Sequence, residues 1–135
     1  MSGGCLCGAV RFELTAPPMI AGYCHCGRCQ RRTGTASAVS VFVDPAAVTW
    51  LCGEDQIRCF TPPDGMLKCF CGRCGAHLLS RAPDGSRMAL RMAAFDSDPG
   101  IRPSYRQYVA YAASWEPIPD DGLPRYAEAR PRDHD

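Results

Sequence analysis

The sequence is nearly without lysine: Lys68 stands alone, and arginine supplies the other cationic side chains. Lys and Arg total 15 against 14 Asp and Glu, a formal net charge of +1, with no basic run. Composition therefore offers no electrostatic footprint for nucleic acid or an anionic lipid surface, while a protein partner stays open. No stretch approaches the roughly 18 consecutive apolar residues of a membrane span. The opening Met1-Ser2-Gly3-Gly4 lacks the basic-then-apolar build of a secretory leader, so a cytoplasmic protein is expected. Helical periodicity is scarce too. Residues 45–48 fit a single turn, and 110–115 are apolar enough for strand or helix.

Alternation is what the sequence offers instead. Val10, Phe12 and Leu14 interleave with Arg11 and Glu13, the period of a strand with one face buried. Short apolar runs follow at 20–24, 38–43, 57–60, 66–71, 78–81, 88–95 and 105–111. Turn signals rich in Pro, Gly and Asp separate them, at 16–18, 61–65, 83–85 and 98–100. Many short strands at even spacing predict a single all-β domain over residues 1–127. Residues 128–135, charged around Pro131 and without an apolar anchor, predict a solvated tail in which His134 is no ligand.

Ten cysteines in 135 residues are the outstanding feature. In an exported chain such enrichment would mean a disulfide framework, for which Cys52 and Cys59 could be one pair. In a reducing compartment, thiols grouped at gaps of one and two residues read as thiolate metal ligands. The pattern Cys-x-Cys-Gly-Arg-Cys occurs twice, at Cys24-His25-Cys26-Gly27-Arg28-Cys29 and at Cys69-Phe70-Cys71-Gly72-Arg73-Cys74, the second copy 45 positions after the first. Two metal knuckles are implied.

A structural zinc site closes with four protein ligands, whereas a catalytic one keeps three and an open position. Cys5 and Cys7 with Cys71 and Cys74 make a set of four, leaving Cys24, Cys26 and Cys29 as a set of three and Cys69 in reserve. This is the simplest partition and implies two zinc ions. The rival joins Cys26 and Cys29 to Cys71 and Cys74 as a ribbon, across a 41-residue gap where about 15 to 20 is usual. No stretch carries ferredoxin-type spacing.

These residues carry a family resemblance. Gly4-Cys5-Leu6-Cys7-Gly8-Ala9-Val10-Arg11-Phe12, the Cys24 to Cys29 block with Arg31 and Gly34, Phe70-Cys71-Gly72-Arg73-Cys74-Gly75, Trp115-Glu116 and Gly122-Leu123-Pro124-Arg125-Tyr126 follow one another across about residues 3–127. Taken together the chain resembles the glutathione-dependent formaldehyde-activating enzymes, a family that includes centromere protein V relatives. The resemblance implies a compact zinc-binding β-tent of short antiparallel strands. It implies a structural ion on Cys5, Cys7, Cys71 and Cys74, and a second on Cys24, Cys26 and Cys29 whose fourth position falls to water or a substrate thiol. The implied activity is a carbon–sulfur lyase reaction that forms or cleaves S-hydroxymethylglutathione, with glutathione and formaldehyde as its small-molecule partners.

Around the three-cysteine set, Arg31 is the candidate anion contact, with Arg28 beside it, and Arg32 reads as a solvated turn residue. His25 could shuttle a proton but more commonly points away, and His77 reads as a hydrogen-bonded strand residue. Cys52, Cys59 and Cys69 read as packing thiols, Cys69 doubling as a substitute ligand. Tyr105, Tyr108, Tyr111, Trp115 and Tyr126 fit a pocket wall or a small aromatic core equally. The competing functional classes are a non-catalytic zinc module for a protein partner and a thiol-based zinc or redox sensor.

Overall fold

The structure, a computed structural model, describes residues 1–132, so His134 lies outside the described residues. Ten strands account for the architecture among these residues: β1 (Ser2–Gly4), β2 (Arg11–Leu14), β3 (Ile20–Cys24), β4 (Ala38–Val43), β5 (Val48–Cys52), β6 (Ile57–Phe60), β7 (Leu67–Cys71), β8 (His77–Arg81), β9 (Met88–Arg91) and β10 (Pro103–Gln107). They form a three-stranded sheet in the order β1-β2-β5 and a seven-stranded sheet in the order β10-β3-β4-β9-β8-β7-β6. The all-β expectation holds. One neighbouring pair, β3 with β10, runs parallel rather than antiparallel. No helix among the described residues is long and apolar enough to cross a membrane.

The alternation in the sequence becomes the core. Phe12 and Leu14 on β2 are buried, as are Val41 and Val43 on β4, Leu79 on β8 and Leu90 on β9. Residues 88–95 do not continue as one strand, because β9 gives way to a 3₁₀ turn at Met92–Ala94. Likewise β10 ends at Gln107 and a 3₁₀ turn follows at Val109–Tyr111. The single turn expected near 45–48 is present at Pro45–Ala47, where the Asp44 carboxylate accepts from the Ala46 amide.

One α-helix among the described residues, α1 (Gly27–Thr33), stands where the sequence pattern suggests only a turn. Its N-cap is Cys26, whose sulfur accepts from the Cys29 amide at 3.4 Å, and Gly34 closes it at φ 68°. A left-handed cap suits glycine, which has no Cβ to clash. Arg31 and Arg32 in the last turn complement the negative end of the helix dipole.

Two glycines let backbones approach. A Cβ on Gly3 would lie 2.3 Å from the Ala94 carbonyl oxygen, and one on Gly22 would lie 2.1 Å from the Tyr105 ring. Tyr105 is itself only 4% exposed and has nowhere to move. Gly22→Ala is therefore expected to cost about 1–3 kcal/mol, read as a lower urea midpoint with an unchanged m-value. A variant as stable as the parent would mean that β3 and β10 can separate freely.

Candidate metal centres and cavity

The amino-terminal knuckle and the 71–74 knuckle meet. Residues 5–10 turn tightly, the Cys5 amide donating to the Val10 carbonyl at 3.1 Å and the Val10 amide to the Cys5 sulfur at 3.3 Å. The second knuckle follows β7, where the Gly75 amide donates to the Cys71 carbonyl at 2.8 Å and the Arg73 amide to the Cys71 sulfur at 3.4 Å. Amide donors of this kind stabilise sulfur as thiolate. Cys5 and Cys74 accordingly fall below the ordinary thiol pKa. For Cys5, backbone and neighbouring-thiol hydrogen bonds outweigh a burial penalty, whereas for Cys74 the leading cause is its backbone hydrogen bond at Ala76.

The four sulfurs of Cys5, Cys7, Cys71 and Cys74 lie within 4.8 Å of one another. Cys5 to Cys7 is 3.7 Å and Cys7 to Cys71 is 3.9 Å. A tetrahedron of sulfurs bonded to a divalent ion at the usual thiolate length of about 2.3 Å has edges of about 3.8 Å. The donor set and its spacing fit a metal ion. Of the two open partitions, the structure assembles the set of four and sets the ribbon aside.

Cys24, at the end of β3, Cys26 and Cys29 form the second group, also within 4.8 Å, and no fourth His, Cys, Asp or Glu joins them among the described residues. Helix α1 explains the convergence: Cys26 caps it and Cys29 projects from its first turn. The thiols share protons unequally. Hydrogen bonds from Cys24 and Cys29, then the Cys29 and Arg28 amides, pull Cys26 far down, while the same contact with Cys26 pushes Cys24 far up. A cation at this point would take the place of those shared protons.

This group opens into a cavity of about 770 Å³ whose walls include Lys68, Tyr108, Tyr111, Arg130 and the Arg28–Asp64 pair. That volume lies within the roughly 300–1,000 Å³ range of small-molecule sites. Arg28 donates to the Asp64 carbonyl at 2.9 Å and to its carboxylate, tying α1 to the loop before β7. Among the described residues Tyr108 is the one non-glycine residue with positive φ, 57°. Such strain persists where surrounding contacts hold it. Here the Tyr108 amide donates to the Glu128 carbonyl at 3.0 Å and its carbonyl accepts from the Tyr111 amide at 3.1 Å.

Other residues singled out in the sequence fall elsewhere. Arg31 is exposed and is not among the residues lining the cavity. His25 is buried facing away from it: Arg106 donates to its Nε2 at 3.2 Å, and burial followed by that guanidinium holds the ring below its ordinary pKa. Arg106 in turn pairs with Asp121 at 2.9 Å and stacks over Tyr23. His77 opens β8 opposite Phe70, the strand residue expected, with its ring Nδ1 buried and without a hydrogen-bond partner. Trp115 is 67% exposed and belongs to neither pocket nor core.

Two features escaped the sequence reading. Cys59 and Cys69 form a disulfide, so Cys69 is no spare ligand and Cys52 is not the partner of Cys59. The pairing follows from register, since the two residues face each other across β6 and β7. The second feature is the segment after residue 127. The Tyr111 hydroxyl donates to the Glu128 carboxylate at 2.8 Å, the Arg130 amide to Gln107 Oε1 at 3.1 Å, and the Arg130 guanidinium covers the Phe42 and Tyr105 rings. Residues 128–130 and 132 thus form part of the cavity wall.

A mostly β chain that gathers one closed set of four thiols and one cavity-facing set of three is a domain with two cysteine-built centres able to hold metal ions. The family model for the glutathione-dependent formaldehyde-activating enzyme matches residues 1–111, and the chain belongs to that family. The blocks at 115–116 and 122–126 lie beyond the matched stretch. No curated protein matches the sequence. A crystal structure of a Rhodobacter sphaeroides protein, a structural-genomics target, superposes with a TM-score of 0.58 at 20% identity, covering 93% of this chain and 99% of that one. At that identity the likeness concerns the fold.

Proposed function

We propose that the chain is a zinc-dependent carbon–sulfur lyase-type enzyme that forms or cleaves an adduct between formaldehyde and glutathione or a similar small thiol. Zinc at Cys5, Cys7, Cys71 and Cys74 is structural, and Cys24, Cys26 and Cys29 hold the working ion. The observation that carries this reading is the unequal ligand count: four thiols close one site, while three face a cavity large enough for a tripeptide-sized ligand.

Zinc bound to the three thiolates would supply a Lewis acid and hold an incoming thiol as its thiolate. In the forward direction a sulfur–carbon bond forms, the carbonyl π pair moves to oxygen, and the proton lost by the thiol is returned to that oxygen. Cleavage is the reverse. Tyr108, which lines the cavity and whose phenol burial and then Cys24 and Cys26 push toward the protonated form, would donate a hydrogen bond to the oxygen that gains charge. Arg28, held by Asp64, frames the cavity mouth. Arg31, exposed in the last turn of α1, is the candidate contact for a substrate carboxylate extending beyond it.

The test is zinc stoichiometry together with exchange of the formaldehyde–glutathione adduct. Two zinc ions per chain and exchange faster than the spontaneous reaction are expected of the wild type. Cys26→Ser should retain one ion, an unchanged far-UV spectrum and no exchange above background. A wild type without activity, or a second site closed by a fourth protein ligand, would remove the proposal.

A further inference from the structure

One face of the seven-stranded sheet carries an unexpected charge row. Strand register puts Cys24 opposite Ala38, two residues before Ser40, and Ser40 opposite Arg91. Farther along, Ser80 stands opposite Lys68. Side chains directly across a ladder, and two apart along a strand, share a face. Arg91 closes the row by donating to Ser40 Oγ at 2.5 Å and to Ser80 Oγ at 2.7 Å. Arg32 comes from α1, three residues after Cys29 and so on the same side of the helix.

Among the described residues these cations have no carboxylate partner. The ion pairs among the described residues use Arg11, Arg28, Arg102 and Arg106. Arg91 is only 6% exposed, yet its Nε has no hydrogen-bond partner, and neither has the buried Nη1 of Arg32. Burying charge without an opposite charge is strongly unfavourable. Geometry sets all three beside the thiols: Lys68 lines the cavity with Cys24, Cys26 and Cys29, Arg91 stands opposite Ser40 on the sheet face that Cys24 shares, and Arg32 follows Cys29 by one helical turn. In each, Cys26 and Cys29 oppose the depression that burial causes.

We propose that Arg32, Lys68 and Arg91 are the counter-ions of the Cys24–Cys26–Cys29 centre and that their field selects an anionic fourth ligand, a thiolate, over a neutral one. Three thiolates on a divalent ion carry one net negative charge, against three positive charges from the row. Two positive charges remain, and a thiolate ligand bearing its own carboxylate offsets them. The Arg28–Asp64 pair is self-compensated and adds little. The inference rests on the reading of this centre as a metal site.

Wild-type protein binding two zinc ions establishes the centre; one ion would remove the reading beneath the inference. With two cobalt ions in place, binding of mercaptoacetate, read from the sulfur-to-cobalt absorption, should weaken about tenfold in Lys68→Met and in Arg32→Met, the scale of one lost charge a few ångström away at a partly screened site, while imidazole binding stays within about twofold. Lys68→Arg should keep the wild-type mercaptoacetate affinity, which a packing role would not. Equal mercaptoacetate affinity in the methionine variants, or parallel loss of mercaptoacetate and imidazole, would overturn the proposal.

Discussion

Withdrawing metal from the Cys5–Cys7–Cys71–Cys74 site is expected to unfold the protein, and Cys71→Ser to yield a chain that does not fold at all. The reason is scale. A structural zinc site contributes about 10–16 kcal/mol, which appears as folding free energy, while a domain retains only about 5–15 kcal/mol in total. This site also joins the two sheets: Cys5 and Cys7 belong to the loop between β1 and β2, and Cys71 ends β7 in the other sheet. Cys71 is fully buried, so serine there would leave a hydroxyl too short and too weak a ligand inside the core. The measurement is a chelator titration of zinc-loaded protein followed by circular dichroism and zinc content together. Loss of the strand signal should follow loss of the more tightly held ion, not the first. A chain that stayed folded after both ions had left would show that packing alone supports the two sheets.

How much of this was legible beforehand depends on whether side chains or registers carry the feature. Strand β2 announces itself through alternation because one face is buried, and β4 and β8 through short apolar runs whose residues are largely buried. Strand β1 does not, since Ser2-Gly3-Gly4 has almost no side chain to read; it exists because Gly3 lies against the Phe12 ring and the Ala94 carbonyl. Helix α1 is hidden for a similar reason. Among its residues only Cys29 is buried, so there is no apolar stripe, and its first turn is set by a cysteine cap rather than a serine or aspartate.

The four-thiol and three-thiol sets could be counted from the sequence, because metal chemistry constrains ligand number. What surrounds the second set could not. Lys68 and Tyr108 come from β7 and the turn after β10, and only the sheet order places them about one cavity, with Arg91 of β9 buried on the same sheet face. The Cys59–Cys69 pairing needs the β6–β7 register. The role of residues 128–130 rests largely on backbone hydrogen bonds and on one guanidinium over two rings, which a charged, proline-interrupted composition conceals.

Phe12→Ala is expected to cost about 3–5 kcal/mol, the range for deleting a buried aromatic side chain, and to weaken the amino-terminal knuckle with it. Phe12 has no exposed surface, and its ring meets Trp50 edge-on at 5.9 Å and 74° and Phe95 at 5.5 Å and 83°. Those partners come from β5 and from the 3₁₀ turn after β9, so one side chain packs the small sheet against the strand system of the large one. The same ring supports Gly3 from beneath, and β1 leads directly into Cys5. Truncation should therefore lower the urea midpoint of the zinc-loaded protein and, separately, hasten zinc loss from the four-thiol site while the three-thiol site keeps its affinity. Phe12→Leu, which retains most of the volume, should recover most of the stability. A loss below about 1 kcal/mol in Phe12→Ala would mean that the cavity collapses freely, and equal zinc release from both sites would mean that the knuckle does not depend on this contact.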